Sequence, residues 1–256
     1  MALDVTAREY LYGRNAVFEA LRGRRRHRLL LVAEGTERQG RVQTLVELAL
    51  AKGLPVRRVP RRELDRLLGP VNHQGIALET AAYPYVRLDQ ILHHAAGRPI
   101  LALDHLQDPQ NLATLLRTAE AVGVAGVLLP ERRAAGVTPA VVNASAGAVE
   151  HLRIAPVVNL ARAVDEAREH GYWITALEPG PAAQNLFEAD VPTPALLIVG
   201  SEGRGMSPVL LERADVQVAL PMRGYVTSLN AAVAGSIALY ELLRRQTRFP
   251  ASTGRQ

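Results

Sequence analysis

The sequence predicts an α/β protein built from two units, a small one followed by a larger one. Three observations lead to this prediction. Short apolar runs alternate with segments of helical periodicity, which is typical of a parallel sheet covered by helices on both faces. Hydrophobic residues make up 48% of the 256-residue chain, which is enough to bury a full core. A stretch over 81–86 that contains Pro84 interrupts the alternation and predicts a linker between the units.

The first unit is predicted over 8–82. Its first helix is indicated by apolar residues between 16 and 21 that fall on one side of a helical projection. A second helix repeats apolar residues from Val42 to Ala49, and Gly53 ends it, as glycine often does at helix C-termini. The predicted helices cover 14–22, 38–52 and 61–68, and the predicted strands cover 28–33, 56–59 and 75–80.

The second unit is predicted over 98–248, after a linker and lead-in helix over 83–97 and before a disordered tail over 249–256. Its apolar runs alternate with helical segments more regularly than those of the first unit. The predicted strands cover 100–103, 126–129, 152–155, 173–177, 196–199 and 216–220, and the predicted helices cover 111–122, 139–145, 160–170 and 231–245.

Positive charge is concentrated in the first third of the chain. Residues 1–85 contain fifteen Arg or Lys and nine Asp or Glu, a balance of +6, whereas the remainder carries −1. This asymmetry predicts a polyanionic partner, with nucleic acid first, although a solvated arginine-rich surface explains the charge equally well. The arginines form two clusters, namely Arg22, Arg24, Arg25, Arg26 and Arg28, and Arg57, Arg58, Arg61, Arg62 and Arg66.

Composition also predicts what the protein lacks. The chain has no cysteine, which excludes disulfides and thiolate metal sites, and its seven histidines have no metal-binding spacing, so no metal is expected. No apolar run approaches the roughly 20 residues needed to span a bilayer. The N-terminus lacks the apolar core of a secretory signal. A cytoplasmic protein without a membrane partner is therefore expected.

Three segments join a strand end, a polar or glycine-rich loop and a helix, which is a common place to hold a small ligand. They are 108–117, 196–205 and 221–230. The loop from Gly200 to Gly205 lacks the Gly-Lys-Ser/Thr ending of a P-loop. It also lacks the third glycine of the dinucleotide pattern, because Pro208 stands at that position. A nicotinamide enzyme is therefore disfavoured.

In their order and approximate spacing, these three segments resemble the signature of the SpoU (TrmH) family of RNA ribose 2′-O-methyltransferases. The stretches 12–17 and 72–76 also resemble the small RNA-binding domain of that family. The resemblance spans roughly 10–245. It implies a C-terminal trefoil-knot (SPOUT) methyltransferase domain, S-adenosylmethionine as cofactor, and a homodimer formed through that domain. It is strongest to the subgroup that methylates a guanosine in 23S ribosomal RNA.

The resemblance also implies roles for individual residues. Arg117 would act on the ribose hydroxyl, although a guanidinium stays protonated and is a poor base. We therefore expect it to bind the adjacent phosphate and stabilise developing negative charge. Ser228 also fits the N-cap of the last helix. The expected catalytic residues are Asn111, Arg117, Glu202, Ser228 and Asn230, and the expected cofactor-binding residues are Gly200, Leu220, Met222, Ser228 and Leu229.

RNA contacts are expected in the first unit, from the basic cluster and from the two family-like stretches. Two other functions stay open at this point: a transfer RNA ribose methyltransferase, and a non-catalytic knotted protein that only binds RNA. The complete set of expected catalytic residues argues against the second of these. The expected RNA-binding residues are Arg14, Arg24, Arg25, Arg26 and His73.

Overall fold

The computed structural model of the protein describes residues 8–36, 40–132, 134–201, 203 and 205–246. The chain forms two compact units, as the sequence predicts. The first unit contains Met1–Pro84 and Gly136–Leu152, and the second contains Tyr85–Ala135 and Arg153–Gln256. The predicted α/β class is confirmed, since each unit combines one sheet with helices.

Most elements lie within two residues of their predicted bounds. The strands are β1 (Arg8–Tyr12), β2 (His27–Ala33), β3 (Val56–Val59), β4 (Ile76–Ala81), β5 (Ile100–Leu103), β6 (Gly126–Pro130), β7 (Ile154–Val157), β8 (Trp173–Leu177), β9 (Gln184–Asn185), β10 (Ala195–Val199) and β11 (Val216–Ala219). The helices are α1 (Arg14–Arg22), α2 (Gly40–Ala51), α3 (Arg61–Leu68), α4 (Leu88–His93), α5 (Pro109–Ala121), α6 (Pro139–Ala144), α7 (Leu160–Glu169), α8 (Pro208–Leu211) and α9 (Ala231–Gln246), with a 3₁₀ turn over Ala148–His151.

The first unit has a four-stranded sheet in the order β1-β4-β2-β3. Strand β4 pairs antiparallel with both of its neighbours, and β2 pairs parallel with β3. Strand β1 was not predicted, because only Leu11 of its five residues is fully buried and its sequence shows no apolar run. It is held in place by pairing with β4, which the sequence of β1 alone does not reveal.

The segment Gly136–Leu152 folds with the first unit, although it lies within the range predicted for the second. The side-chain amide of Asn143 donates a hydrogen bond to the carbonyl of Tyr12 (3.0 Å), and the hydroxyl of Tyr83 donates to the carbonyl of Leu152 (2.8 Å). Gly147 has φ +87°, and a Cβ there would lie 2.7 Å from the Cβ of Glu19. This segment, which we call the returning segment, therefore completes the first unit.

The second unit has a seven-stranded sheet in the order β7-β6-β5-β10-β8-β11-β9. All its strand pairs are parallel, as predicted. Strands β5 and β10 are buried at every residue because helices cover both faces. The order places β8 between β10 and β11, so the loops that follow these three strands lie at one edge of the sheet.

Short elements account for the other differences from the sequence prediction. Strand β9 and helix α8 were not predicted, since they contain two and four residues and show no periodicity. Within the described ranges, no helix is both long enough and apolar enough to cross a membrane. In that same part of the chain, no three or more His, Cys, Asp or Glu side chains are grouped to hold a metal ion. The implied trefoil knot and the disordered tail stay predictions, and the tail lies outside the described residues.

Candidate cofactor and catalytic site

A cavity of about 280 Å³ opens at the carboxyl ends of β8, β10 and β11. Its described lining comes from residues 177–179, from the glycine-rich loop after β10, from the loop after β11, and from the first turn of α9. The five expected cofactor-binding residues all lie in this lining: Gly200, Leu220, Met222, Ser228 and Leu229. Residues from two separate loops therefore meet at one site.

The glycine-rich loop folds tightly back on itself. The amide of Gly205 donates a hydrogen bond to the carbonyl of Ser201 (3.1 Å), closing a short antiparallel bridge. Gly203 and Gly205 have φ values of +79° and +67°, which side chains disfavour. A Cβ on Gly200 would lie 2.8 Å from the nitrogen of Met206. Glycine is therefore favoured at these positions, and its small size lets the loop fold tightly against Met206 and Glu178.

Asn230 joins the two helices of the site. Its Oδ1 accepts hydrogen bonds from the amides of Ala232 (2.9 Å) and Val233 (3.2 Å), so Asn230 is the N-cap of α9. The sequence assigned this capping role to Ser228, which instead lies two residues earlier in the cavity lining. The Nδ2 of Asn230 donates to the Oδ1 of Asn111 (3.0 Å). The structure therefore brings two expected catalytic residues together although 119 positions separate them.

Close packing of α5 against α9 fixes this geometry. A Cβ on Gly235 would lie 2.6 Å from a methyl group of Leu115, so the glycine lets the two helices approach. The hydroxyls of Thr118 and Ser236 hydrogen-bond across the same contact (2.9 Å). Asp108 caps α5 by accepting from the amide of Gln110 (3.1 Å). The small residues of α9 thus serve packing within the chain.

Arg117 lies on α5, six residues after Asn111, which corresponds to about 9 Å along the helix axis. Its side chain is exposed, and it makes no hydrogen bond or ion pair with any residue that the structure describes. An exposed guanidinium without an ion pair to the described residues is available to an anionic substrate group. Glu202, the remaining expected catalytic residue, lies outside the described residues.

Glu178 was missed by sequence reasoning. It follows β8 and is the single ionisable side chain among the described residues that line the cavity. Its Oε2 accepts a hydrogen bond from the amide of Met206 (3.1 Å). Burial raises the pKa of its carboxyl above the ordinary value, opposed by that hydrogen bond. Its position at the carboxyl end of a strand is the signal that could have identified it.

Two expected RNA-binding residues are buried, and their assignment is corrected. The side chain of Arg25 has no solvent exposure, and its Nε donates to the equally buried carboxylate of Glu150 (2.9 Å). Its Nη1 donates to Glu9 (2.5 Å). His73 is 1% exposed and bonds through Nε2 to Asp65 (2.9 Å). Because both side chains are buried, neither can contact RNA. The sequence alone did not show this, since a charged residue type does not reveal whether its side chain is buried.

The other three expected RNA-binding residues reach the surface. Arg24 and Arg26 are exposed, and Arg14 is partly exposed. Arg24 also donates a hydrogen bond to the carbonyl of Leu152 (2.7 Å), so that it helps to hold the returning segment. Arg14 donates from Nε to the carbonyl of Gln74 (3.4 Å). Among these residues, Arg26 is exposed and its side chain makes no hydrogen bond or ion pair with the described residues.

Family models match both parts of the chain. The RNA 2′-O ribose methyltransferase substrate binding model matches residues 10–86, and the SpoU rRNA Methylase family model matches residues 98–240. The chain belongs to the SpoU methylase family. This SpoU methylase is 40% identical over 242 residues to YacO of Bacillus subtilis, whose name places it among TrmH family tRNA/rRNA methyltransferases. That match covers 93% of this chain and 96% of YacO.

Two solved structures extend the comparison. An rRNA methyltransferase from Sinorhizobium meliloti, solved with bound S-adenosylmethionine, matches this SpoU methylase with TM-score 0.78 and 26% identity. The match covers 95% of this chain and 89% of the other. The TrmH/SpoU tRNA modifying enzyme of A. aeolicus matches with TM-score 0.53 and 30% identity. This match covers 62% of this chain and 80% of the A. aeolicus chain. The SpoU methylase is thus an RNA 2′-O-methyltransferase that uses S-adenosylmethionine.

The cavity suits this cofactor. S-adenosylmethionine has an adenine, which fits the apolar wall of the lining, and polar groups that need hydrogen-bond partners. The hydroxyl of Ser201 is buried in the lining and has no partner among the described residues. A Cβ on Gly203 would meet no described atom within 4 Å, so the loop is open at this position of the lining. Both features are explained by a ligand that enters the cavity and bonds to the loop.

Proposed function

We propose that this SpoU methylase methylates the ribose 2′-hydroxyl of a guanosine in 23S ribosomal RNA, in the cytoplasm. The observation that supports ribosomal RNA is the extent of the structural matches. The S. meliloti rRNA methyltransferase matches 95% of the chain, including the first unit, whereas the A. aeolicus tRNA enzyme matches 62%. The substrate-binding family model also covers most of the first unit's continuous part.

We propose that Arg117 binds the phosphate beside the target ribose and stabilises the charge that develops on the attacking oxygen. Bound S-adenosylmethionine supplies an electrophilic methyl group whose sulfur leaves without charge. The hydroxyl must lose its proton as it attacks, and the protonated Arg117 cannot accept it. The proton therefore passes to the phosphate or to water. The hydrogen bond between Asn111 and Asn230 joins α5 to the start of α9 beside the cavity. It therefore fixes the position of Arg117 relative to the cofactor.

Transfer of a tritiated methyl group from S-adenosylmethionine tests the proposed substrate. Ribosomal RNA and transfer RNA from cells that lack the matching endogenous enzyme serve as separate substrates. We expect 23S ribosomal RNA to be labelled at one guanosine, located by its resistance to alkaline cleavage. Labelling of transfer RNA alone would assign the enzyme to the other substrate class. If no RNA accepts a methyl group, the protein binds RNA without catalysing transfer, and the proposed activity is wrong.

The exposed arginines of the first unit are proposed to bind RNA phosphates. Replacing Arg26 and Arg28 by glutamate is expected to weaken RNA binding, because both side chains are exposed. The slope of log affinity against log salt should fall by about 0.7–0.9 for each phosphate that the variant no longer neutralises. Binding measured at several salt concentrations checks this, and S-adenosylmethionine affinity should not change. An unchanged slope would mean that these arginines are ordinary solvated surface.

A fragment that begins at Tyr85 would not isolate the contribution of the first unit to RNA binding. Such a fragment would keep the returning segment without the residues it packs against, and Glu150 would lose its partner Arg25. Poor folding of the fragment would then be mistaken for loss of RNA binding. Charge reversal at exposed positions keeps both units complete.

We also propose that the second unit forms a homodimer through α9. Val233 and Tyr240 of this helix are 46% and 54% exposed, and a groove of about 500 Å³ runs beside Tyr240. Apolar side chains dominate its lining together with Phe187. A second copy of the chain would cover this face, and exposed apolar patches on one helix commonly mark such interfaces.

Replacing Tyr240 by glutamate is expected to convert the dimer into monomers, because it places a charge in the proposed interface. Sedimentation at micromolar concentration measures the mass. Leu50, which is 60% exposed on α2, provides the matched control, and Leu50→Glu should leave the dimer intact. A monomeric wild-type protein, or a dimeric Tyr240→Glu variant, would contradict the proposed interface.

A further inference from the structure

Glu178 occupies a central place in the cofactor cavity. It follows β8, which lies between β10 and β11 in the sheet, and the loops after those two strands form the other walls. Apart from Glu178, the described lining consists of apolar residues, glycines and three hydroxyl side chains. Glu178 is partly exposed, and its partial burial makes hydrogen-bond donors to both carboxylate oxygens favourable. Only one oxygen of Glu178 accepts a hydrogen bond from a donor among the described residues.

The two oxygens of Glu178 differ in their partners. Oε2 accepts from the amide of Met206, whereas no described residue donates to Oε1. Oε1 lies over Gly205, where an added Cβ would clash with it. Ser201 pairs with the same Gly205 through the backbone bridge, and its buried hydroxyl also lacks a described partner. A carboxylate oxygen without a described donor and a buried hydroxyl without a described partner thus lie beside the same glycine of the cavity lining.

We propose that Glu178 and Ser201 bind the two ribose hydroxyls of S-adenosylmethionine. A carboxylate oxygen is a strong acceptor for a hydroxyl, and a serine hydroxyl can both donate and accept. Two groups beside one glycine match two neighbouring hydroxyls, and the absence of a side chain on Gly205 lets the carboxylate of Glu178 take this position. A carboxylate in this role determines affinity for the cofactor and takes no part in the methyl transfer. Glu178 is therefore a specificity-determining residue for the cofactor.

Calorimetry with S-adenosylhomocysteine and its 2′,3′-dideoxy analogue tests the contact directly. Glu178→Ala is expected to weaken binding of S-adenosylhomocysteine by about 10- to 100-fold, and Ser201→Ala by about 2- to 10-fold. Neither variant should change the affinity for the dideoxy analogue, which has no hydroxyls to lose. Thr227→Val, in the same lining, is the matched control and should affect both ligands equally.

A third ligand separates the ribose from the amino-acid end of the cofactor. Methylthioadenosine keeps both ribose hydroxyls and lacks the ammonium group, so Glu178→Ala should weaken it by the same factor as S-adenosylhomocysteine. If the loss disappears with methylthioadenosine, or is equally large with the dideoxy analogue, the proposal is overturned. Glu178→Gln keeps an oxygen for the amide of Met206 and gives the same comparison if the alanine variant does not fold. These measurements need no RNA, so their outcome is independent of the proposed substrate.

Discussion

Replacing Arg117 by alanine is expected to lower the rate of methyl transfer by about 10²- to 10³-fold, the loss typical of removing one donor to developing charge. Arg117 is exposed and makes no interaction with the described residues, so its removal should leave folding unchanged. It is absent from the cavity lining, so S-adenosylmethionine affinity should also be unchanged. Single-turnover kinetics with RNA and calorimetry with the cofactor measure the two effects separately.

Arg162 provides the control for this variant. It is also an exposed arginine on a helix of the second unit, and Arg162→Ala should keep full activity. Arg117→Lys separates charge from geometry, because lysine keeps the charge but cannot form the forked pair of hydrogen bonds with a phosphate. Near wild-type turnover of Arg117→Ala would refute the proposed role.

Replacing Arg25 by alanine is expected to destabilise the protein by about 3–5 kcal/mol, since it leaves a buried charge without its partner. The side chains of Arg25 and Glu150 both have zero exposure, and burial already raises the pKa of Glu150. The guanidinium also lies 5.2 Å over the ring of Tyr83. Urea unfolding measures the free energy of unfolding. The control is the exposed neighbour Arg26, whose replacement by alanine should change that free energy by less than about 0.5 kcal/mol.

A double variant distinguishes the loss of a pair from the loss of packing. Arg25→Met with Glu150→Leu removes both charges and keeps similar volume, and such replacements are often neutral or stabilising. We therefore expect the double variant to be much more stable than Arg25→Ala. Equal destabilisation of the two proteins would show that the ion pair itself, rather than an unpaired Glu150, carries the effect.

The fold was predictable wherever one segment carries its own pattern. Strand β10 is a run of apolar residues that is buried throughout, and α1 buries one side of its helical projection. Strand β1 and the returning segment were not assigned correctly from local pattern, because their positions depend on partners far along the chain. The hydrogen bond from Asn143 to Tyr12 spans 131 positions, and no periodicity in either segment indicates it.

Some residues of the site could likewise be predicted from local sequence, and others could not. Glycines and short polar residues after strands, compared with a known family, identified Gly200 and Asn230, and the structure places both at or beside the cavity. Glu178 was missed because a lone glutamate after a strand has no distinctive neighbours. Arg25 was misassigned because charge in a sequence predicts a solvated or ligand-binding side chain, whereas here two carboxylates surround it.

The returning segment has a consequence for protein synthesis. The apolar residues of α1 lie beside Gly147, whose position would bring a Cβ within 3.1 Å of Ala16, and Arg25 pairs with a residue 125 positions later. At about 5–20 residues per second, Leu152 follows Pro84 from the ribosome by roughly 3–14 s. During that interval the nascent first unit exposes part of α1, and Arg25 lacks Glu150, one of its two carboxylate partners. Its native state is therefore reached only after part of the catalytic unit has already been translated.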